Sequence, residues 1–201
     1  FDLSEWQALS DQYAGAATNP GSSMLRRAQL QIGVFSGFGT EVDDLRVDVR
    51  RRSAGWLLGL QSETVAGDVR LPDAEDRPIV LGLSHLRFPS AEPKEGDAPP
   101  QDRLAGVDPK DLPAVDISVD RLFLGDELLG SGAFKMRPSA EGVSFQDLDL
   151  DLKGIKLTGS GGWDGERTTY KGRLQGGNLA DVLQAWGFAP STTSEDFRLN
   201  V

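Results

Sequence analysis

The fold turns on residues 146–163, QDLDLDLKGIKLTGSGGW. Asp147, Asp149 and Asp151 alternate with Leu148, Leu150 and Leu152, and a glycine-rich run follows. Three chemistries suit these residue types: a calcium loop, a phosphate cradle, or the wet face of a β-sheet. A calcium loop of the D-x-D-x-D-G kind needs a glycine after the third acid and a glutamate near its end. Lys153 follows Asp151 instead, and no such glutamate appears. A phosphate cradle needs a helix after the glycines, so that its first N–H groups face the anion. Gly159-Ser160-Gly161-Gly162 leads into Trp163-Asp164-Gly165, a turn signal. In a strand, residues two apart share a face. The aspartates then face water and the leucines a core. A two-residue turn at Lys153-Gly154 sets Leu152 opposite Ile155, Asp151 opposite Lys156 and Leu150 opposite Leu157.

The same period of two recurs along the chain. Leu45, Val47 and Val49 alternate with Arg46, Asp48 and Arg50. The pattern predicts roughly ten strands, near 25–35, 42–50, 55–62, 64–71, 78–88, 115–124, 127–137, 142–153, 154–163 and 168–176. Turn residues such as Pro72-Asp73, Gly125-Asp126, Glu141-Gly142 and Asp164-Gly165 separate many of them, which predicts consecutive antiparallel hairpins. Two short helices flank the strands. One opens at Ser4 with Gln7 as a capping box, and the other runs from Asn178 to about Trp186 and stops at Gly187 and Pro190. Phe197–Val201 reads as the start of another strand, and Phe1-Asp2-Leu3 as the tail of one. Both ends therefore look cut from a longer chain.

A weak repeat at an offset of 92 pairs Leu30-Gln31-Ile32-Gly33 with Leu122-Phe123-Leu124-Gly125. It also pairs Trp56, Leu58 and Leu60 with Leu148, Leu150 and Leu152, and Val65-Ala66-Gly67 with Leu157-Thr158-Gly159. The expected organisation is a short helix and loop at 1–23, a first β unit at 24–89, and a proline-rich charged loop at 90–104. A second β unit follows at 105–177, an amphipathic helix at 178–190, and a truncated next unit at 191–201.

Composition narrows the function. A formal net charge of −10 over 201 residues argues against a nucleic-acid partner, which clustered Lys and Arg would signal. No cysteine is present, which removes thiolate zinc sites, thiol catalysis and disulfides, and suits an oxidising compartment such as a periplasm. No apolar run reaches the roughly 18–20 residues of a membrane helix, and no signal peptide is visible. His85 is the only histidine, so triads and multi-histidine metal sites have little material. No carboxylate pair is marked as catalytic. No cofactor and no metal are expected. What stands out is the aliphatic rows, since exposing each Leu or Ile forgoes roughly 1.5–3 kcal/mol. A closed β core or a lipid ligand could cover them.

Leu148–Trp163 resembles a recurring strand–Gly–strand–G-x-G-x-W unit, as do Tyr170–Leu174 with Asn178–Phe188, and Trp56–Gly67. The unit is that of the AsmA-like group of Gram-negative envelope proteins, and within it the very long YhdP type. The resemblance covers most of the chain from about residue 25, most specifically 112–201. It implies a mainly β fold, a long antiparallel meander curved into an elongated groove of the repeating β-groove (β-taco) type. It further implies a segment of an inner-membrane-anchored periplasmic protein, with its anchor outside this chain, whose stacked units carry phospholipid between inner and outer membranes without chemistry. The partners implied are phospholipid acyl chains and adjacent β-groove segments. Alternation then assigns the groove-lining positions: Leu45, Val47, Val49, Trp56, Leu58, Leu60, Val65, Val69, Leu71, Leu81, Leu83, Ile117, Val119, Phe134, Met136, Leu148, Leu150, Leu152, Ile155 and Leu157. The rival readings are a closed scaffold module of the envelope and, more remotely, a carbohydrate-binding sandwich, for which four Trp and two Tyr supply few aromatics.

Overall fold

A computed structural model describes residues 26–37, 40–89, 108–178, 180 and 197–200. The opening stretch forms β8 (Gly142–Leu152) and β9 (Ile155–Trp163). Lys153 and Gly154 both take positive φ, 46° and 81°, as a mirror-image two-residue hairpin turn requires. The register is the expected one, with Leu152 opposite Ile155, Asp151 opposite Lys156 and Leu150 opposite Leu157. Asp147, Asp149 and Asp151 are all exposed.

The other strands follow in chain order. They are β1 (Arg27–Gly37), β2 (Thr40–Arg52), β3 (Gly55–Gln61), β4 (Val65–Pro72), β5 (Ile79–Phe88), β6 (Val115–Leu124), β7 (Glu127–Ser139), β10 (Thr168–Gly176) and β11 (Phe197–Asn200). All eleven form one sheet in the order β1 to β11, so it is open, with β1 and β11 as its edges. A single 3-10 turn, Pro109–Asp111, precedes β6. The expected helix near residues 4–14 lies outside the described residues. So does most of the one from Asn178, although Ala180 is helical and donates its N–H to Asn178 Oδ1 at 2.8 Å, as an N-cap does.

One connection departs from the all-antiparallel expectation: β5 and β6 run parallel, from Ile79 beside Val115 to Phe88 beside Leu124. Tight turns force antiparallel neighbours, but a parallel pair needs a dozen or more residues to bring the chain back to the starting end. Residues 89–114 supply that length. Five alternating strands leave the fifth running in the same sense as the first, so a second set laid beside the first meets it in parallel. The two sets share details. Gly55 opens β3 at φ 147° against the end of β4, and Gly142 opens β8 at φ 148° against the end of β9.

Alternation is also interrupted. In β8, Phe145 pairs with Gly161 and Leu148 with Gly159, so Gln146 and Asp147 stand opposite Ser160 alone. This is a β-bulge, with Asp147 at φ 49°. Asp44, at φ 48°, occupies the matching place between Val42 and Leu45. The same three-residue step separates Leu83 from Leu86 and Val119 from Leu122. Register shifts against β4, β7 and β9 keep Leu86, Leu122 and Leu148 on the face of Leu83, Val119 and Phe145. At Asp44, by contrast, the β1–β2 register is unbroken, and Ile32 and Phe35 step together with Leu45 and Val42 and pack in one cluster with them.

Packing is thin. Among the described residues the buried apolar ones are Val42, Leu45, Val47, Leu83, Val119 and Val143, and no side chain is wholly enclosed. Among the described residues Val42, Leu45 and Val47 form a buried cluster, against which Val65 packs from two strands away. Ion pairs lace the polar face instead. Asp48 takes Arg27 and Arg50, each at 2.8 Å, Lys135 meets Asp147 at 2.6 Å, and Arg137 meets Asp116 at 2.5 Å. Lys156 reaches Asp149 at 3.5 Å rather than Asp151, which it faces in the ladder.

The guanidinium groups of Arg50 and Arg27 hold the Asp48 carboxyl far below the usual carboxylate range, and Lys135 lowers Asp147 in the same sense. A folded pKa below the unfolded one contributes stability that is complete above about pH 4 and is lost as pH falls through the folded value. The urea midpoint, followed by circular dichroism, should therefore drop between pH 7 and pH 3. Asp48→Asn should shrink that drop by lowering the pH 7 midpoint more than the pH 3 one, at which Asp48 is still ionised in the folded chain.

Candidate functional site: the apolar face

The register builds a continuous surface. Leu30, Val47, Leu60, Gly67, Leu83, Val119, Gly132, Leu150, Leu157, Leu174 and Leu199 each lie opposite the next, one from every strand. Ten interstrand steps of about 4.8 Å make this row about 48 Å long. None of its residues is polar. A second row runs beside it through Ala28, Val49, Leu58, Val69, Leu81, Ile117 and Phe134. On the other side lie Val65, Leu86, Leu122, Gly130, Leu152 and Ile155.

All twenty positions assigned by alternation fall on this one face. Leu45, Val47, Leu83 and Val119 are buried, and the other sixteen are half-buried. Trp56, Leu71 and Met136 sit toward the end of the face marked by the 52–55 turn, and Leu148 follows the β8 bulge. Alternation alone missed Val42, Leu86, Leu122, Val143 and Phe145. Their signal was present as a doubled polar step between apolar residues, Val42-Asp43-Asp44-Leu45 and Phe145-Gln146-Asp147-Leu148. A strand that skips two residues without changing face must break its regular pleat, by a bulge as at Gln146-Asp147 or by a positive φ as at Asp44.

Other features give the face its relief. Phe134 and Phe145 meet edge to face at 5.9 Å. Tyr170 donates its hydroxyl to the Thr158 carbonyl at 2.9 Å and lies over Gly172, whose missing side chain leaves it room. Leu30, Phe88, Leu124 and Leu199 are exposed. Charge appears at the margin, where Arg51 stands 5.2 Å over the Trp56 ring and holds Asp73 through two hydrogen bonds of 2.5 and 2.7 Å.

The other candidates resolve into structure. Asp147 and Asp149 are engaged by Lys135 and Lys156. Gly159–Gly162 lies within β9, flanked by β8 and β10, with no helix after it. His85 Nε2 lies 3.2 Å from the Ser62 carbonyl oxygen. Among the described residues no three His, Cys, Asp or Glu side chains gather to hold a metal, and no helix is long and apolar enough to cross a membrane.

An open sheet in chain order, with one unbroken apolar face and a polar face laced by ion pairs, defines an elongated β-sheet protein whose working element is a surface rather than a pocket of reactive groups. A family model described as "YhdP protein" matches residues 1–201, and the chain belongs to that family. The family lies in the AsmA-like group of envelope proteins and is not an enzyme family. No curated protein and no solved structure matches the chain.

Proposed function

We propose that the chain is a segment of a periplasm-spanning conduit that carries phospholipid between the inner and outer membranes along this apolar face, curled into a groove. The observation that carries the reading is the eleven-residue row. The sixteen half-buried apolar side chains in and beside it forgo part of the roughly 1.5–3 kcal/mol each would gain from full burial, which a covering ligand would supply. Acyl chains fit that requirement, because burial and dispersion act along a chain without reading its head group. The β-bulges bend the strands and increase their twist, which curls a wide sheet. β1 and β11 are the edges of the described sheet, where adjacent segments of the same protein would extend it. No chemistry is required of any residue, and no cofactor or nucleic acid takes part.

The test is in-cell photo-crosslinking in the full-length protein, with the probe at Leu150 or, separately, at Asp149. Lipid adducts are expected at Leu150 and not at Asp149. Adducts at neither, in folded membrane-embedded protein, would mean a closed scaffold and end the conduit reading.

A further inference from the structure

On the polar face three arginines line one cavity that has no acidic residue in its lining. Where the 52–55 turn and the 72–79 loop meet the ends of β3, β4 and β5, a cavity of about 390 Å³ opens. Its lining includes Leu57, Val80 and Pro78, together with Arg52, Arg70 and Arg77. By register Leu57, Arg70 and Val80 lie side by side on the face opposite the apolar row. No acidic residue lines the cavity, although acids outnumber bases 31 to 21 in the chain. Some arginines of the sheet hold carboxylates, as Arg27 and Arg50 hold Asp48 and Arg137 holds Asp116, while among the described residues others such as Arg46 and Arg173 make no ion pair. The side chains of Arg52, Arg70 and Arg77 make no ion pair or hydrogen bond among the described residues. Asp73 beside them is already committed to Arg51, and Glu75 and Asp76 are exposed outside the lining.

We infer that this cavity is a binding site for a phosphate group. Each guanidinium presents a planar fork of donors matched to phosphate oxygens, of which the free anion offers four and a lipid diester two charged and two ester oxygens, against two on a carboxylate. The size lies in the range of small-ligand sites, and the apolar floor strengthens the electrostatic attraction by keeping water from one side. The phosphate is that of a lipid head group or a free phosphate. The site itself stands without the conduit reading, and only the lipid source rests on it.

The test is 31P line broadening of inorganic phosphate and of dihexanoylphosphatidylglycerol below its micelle concentration, titrated with the full-length protein. The R52A/R70A/R77A variant should bind at least tenfold more weakly. R52K/R70K/R77K, which keeps the charge and removes the forks, should fall between it and the parent. Tighter binding of the phospholipid than of inorganic phosphate assigns the site to head groups, and equal binding assigns it to free phosphate. Equal affinity in parent and both variants, or no broadening of either probe at millimolar concentration, overturns the site. Adducts at Leu150 read the conduit separately, so either proposal can fail while the other holds.

Discussion

Leu150→Asp should slow phospholipid transfer between the membranes by about a hundredfold while leaving the sheet folded. Leu150 is the eighth residue of the eleven-residue row and is half-buried. A carboxylate there faces whatever covers the row. If that is acyl chain, each passage meets a charge in hydrocarbon, which costs about 2.5–3.5 kcal/mol. That is about two decades or slightly more in rate. Asp149→Leu, one residue away on the opposite face, should leave transfer unchanged. The comparison that separates passage from folding is Leu83→Asp. Leu83 is only 4% exposed, so the charge would be buried without a partner and the sheet should unfold. Pulse–chase labelling of phospholipid, read beside protease resistance of each variant, measures both effects. Normal transfer in a folded Leu150→Asp protein would remove the row from the transport path.

Gly142→Ala should destabilise the sheet by about 3 kcal/mol or more, while Gly33→Ala should be close to neutral. Gly142 lies at φ 148°, a region essentially reserved for glycine, where strain alone costs about 1–3 kcal/mol. A β-carbon there would also overlap the Trp163 carbonyl oxygen, a backbone atom held in the β8–β9 ladder, so the ladder must open to admit it. The neighbour Val143 is 3% exposed and would lose its packing with the shift. Gly33 has open space around it and no unusual φ. Gly55, which opens β3 as Gly142 opens β8, should behave like Gly142. Urea unfolding of the three variants checks the set. Equal midpoints for Gly142→Ala and Gly33→Ala would mean that the ladder gives way without cost.

Much of this architecture is local and could be read along the chain. All ten expected strands are present, and the terminal segment from Phe197 does start another. Strand and hairpin signals act within about ten residues, through side-chain alternation and through the turn chemistry of pairs such as Lys153-Gly154. The apolar face was legible for the same reason, since a residue's side is fixed by counting twos. Counting failed where two polar residues stand between apolar ones, at Asp43-Asp44, Ser84-His85, Asp120-Arg121 and Gln146-Asp147. The doubled polar step marks such a place in the strand itself, but where the register shifts depends on which residues the neighbouring strand offers.

The sequence by itself determined that this chain is a succession of β-hairpins with one greasy and one charged side. Period-two alternation and turn residues set those features over short distances. The tertiary structure decided the rest. It made β5 and β6 parallel, because a long connection leaves both directions open and only the docked strands choose between them. It aligned eleven separate residues into one apolar row, because each alignment depends on the register between strands and a shift by one residue would move a strand's set to the other side. It brought Arg52, Arg70 and Arg77 around one cavity without a carboxylate among them. Guanidinium groups far apart in the chain become one site only when the backbone between them has been folded.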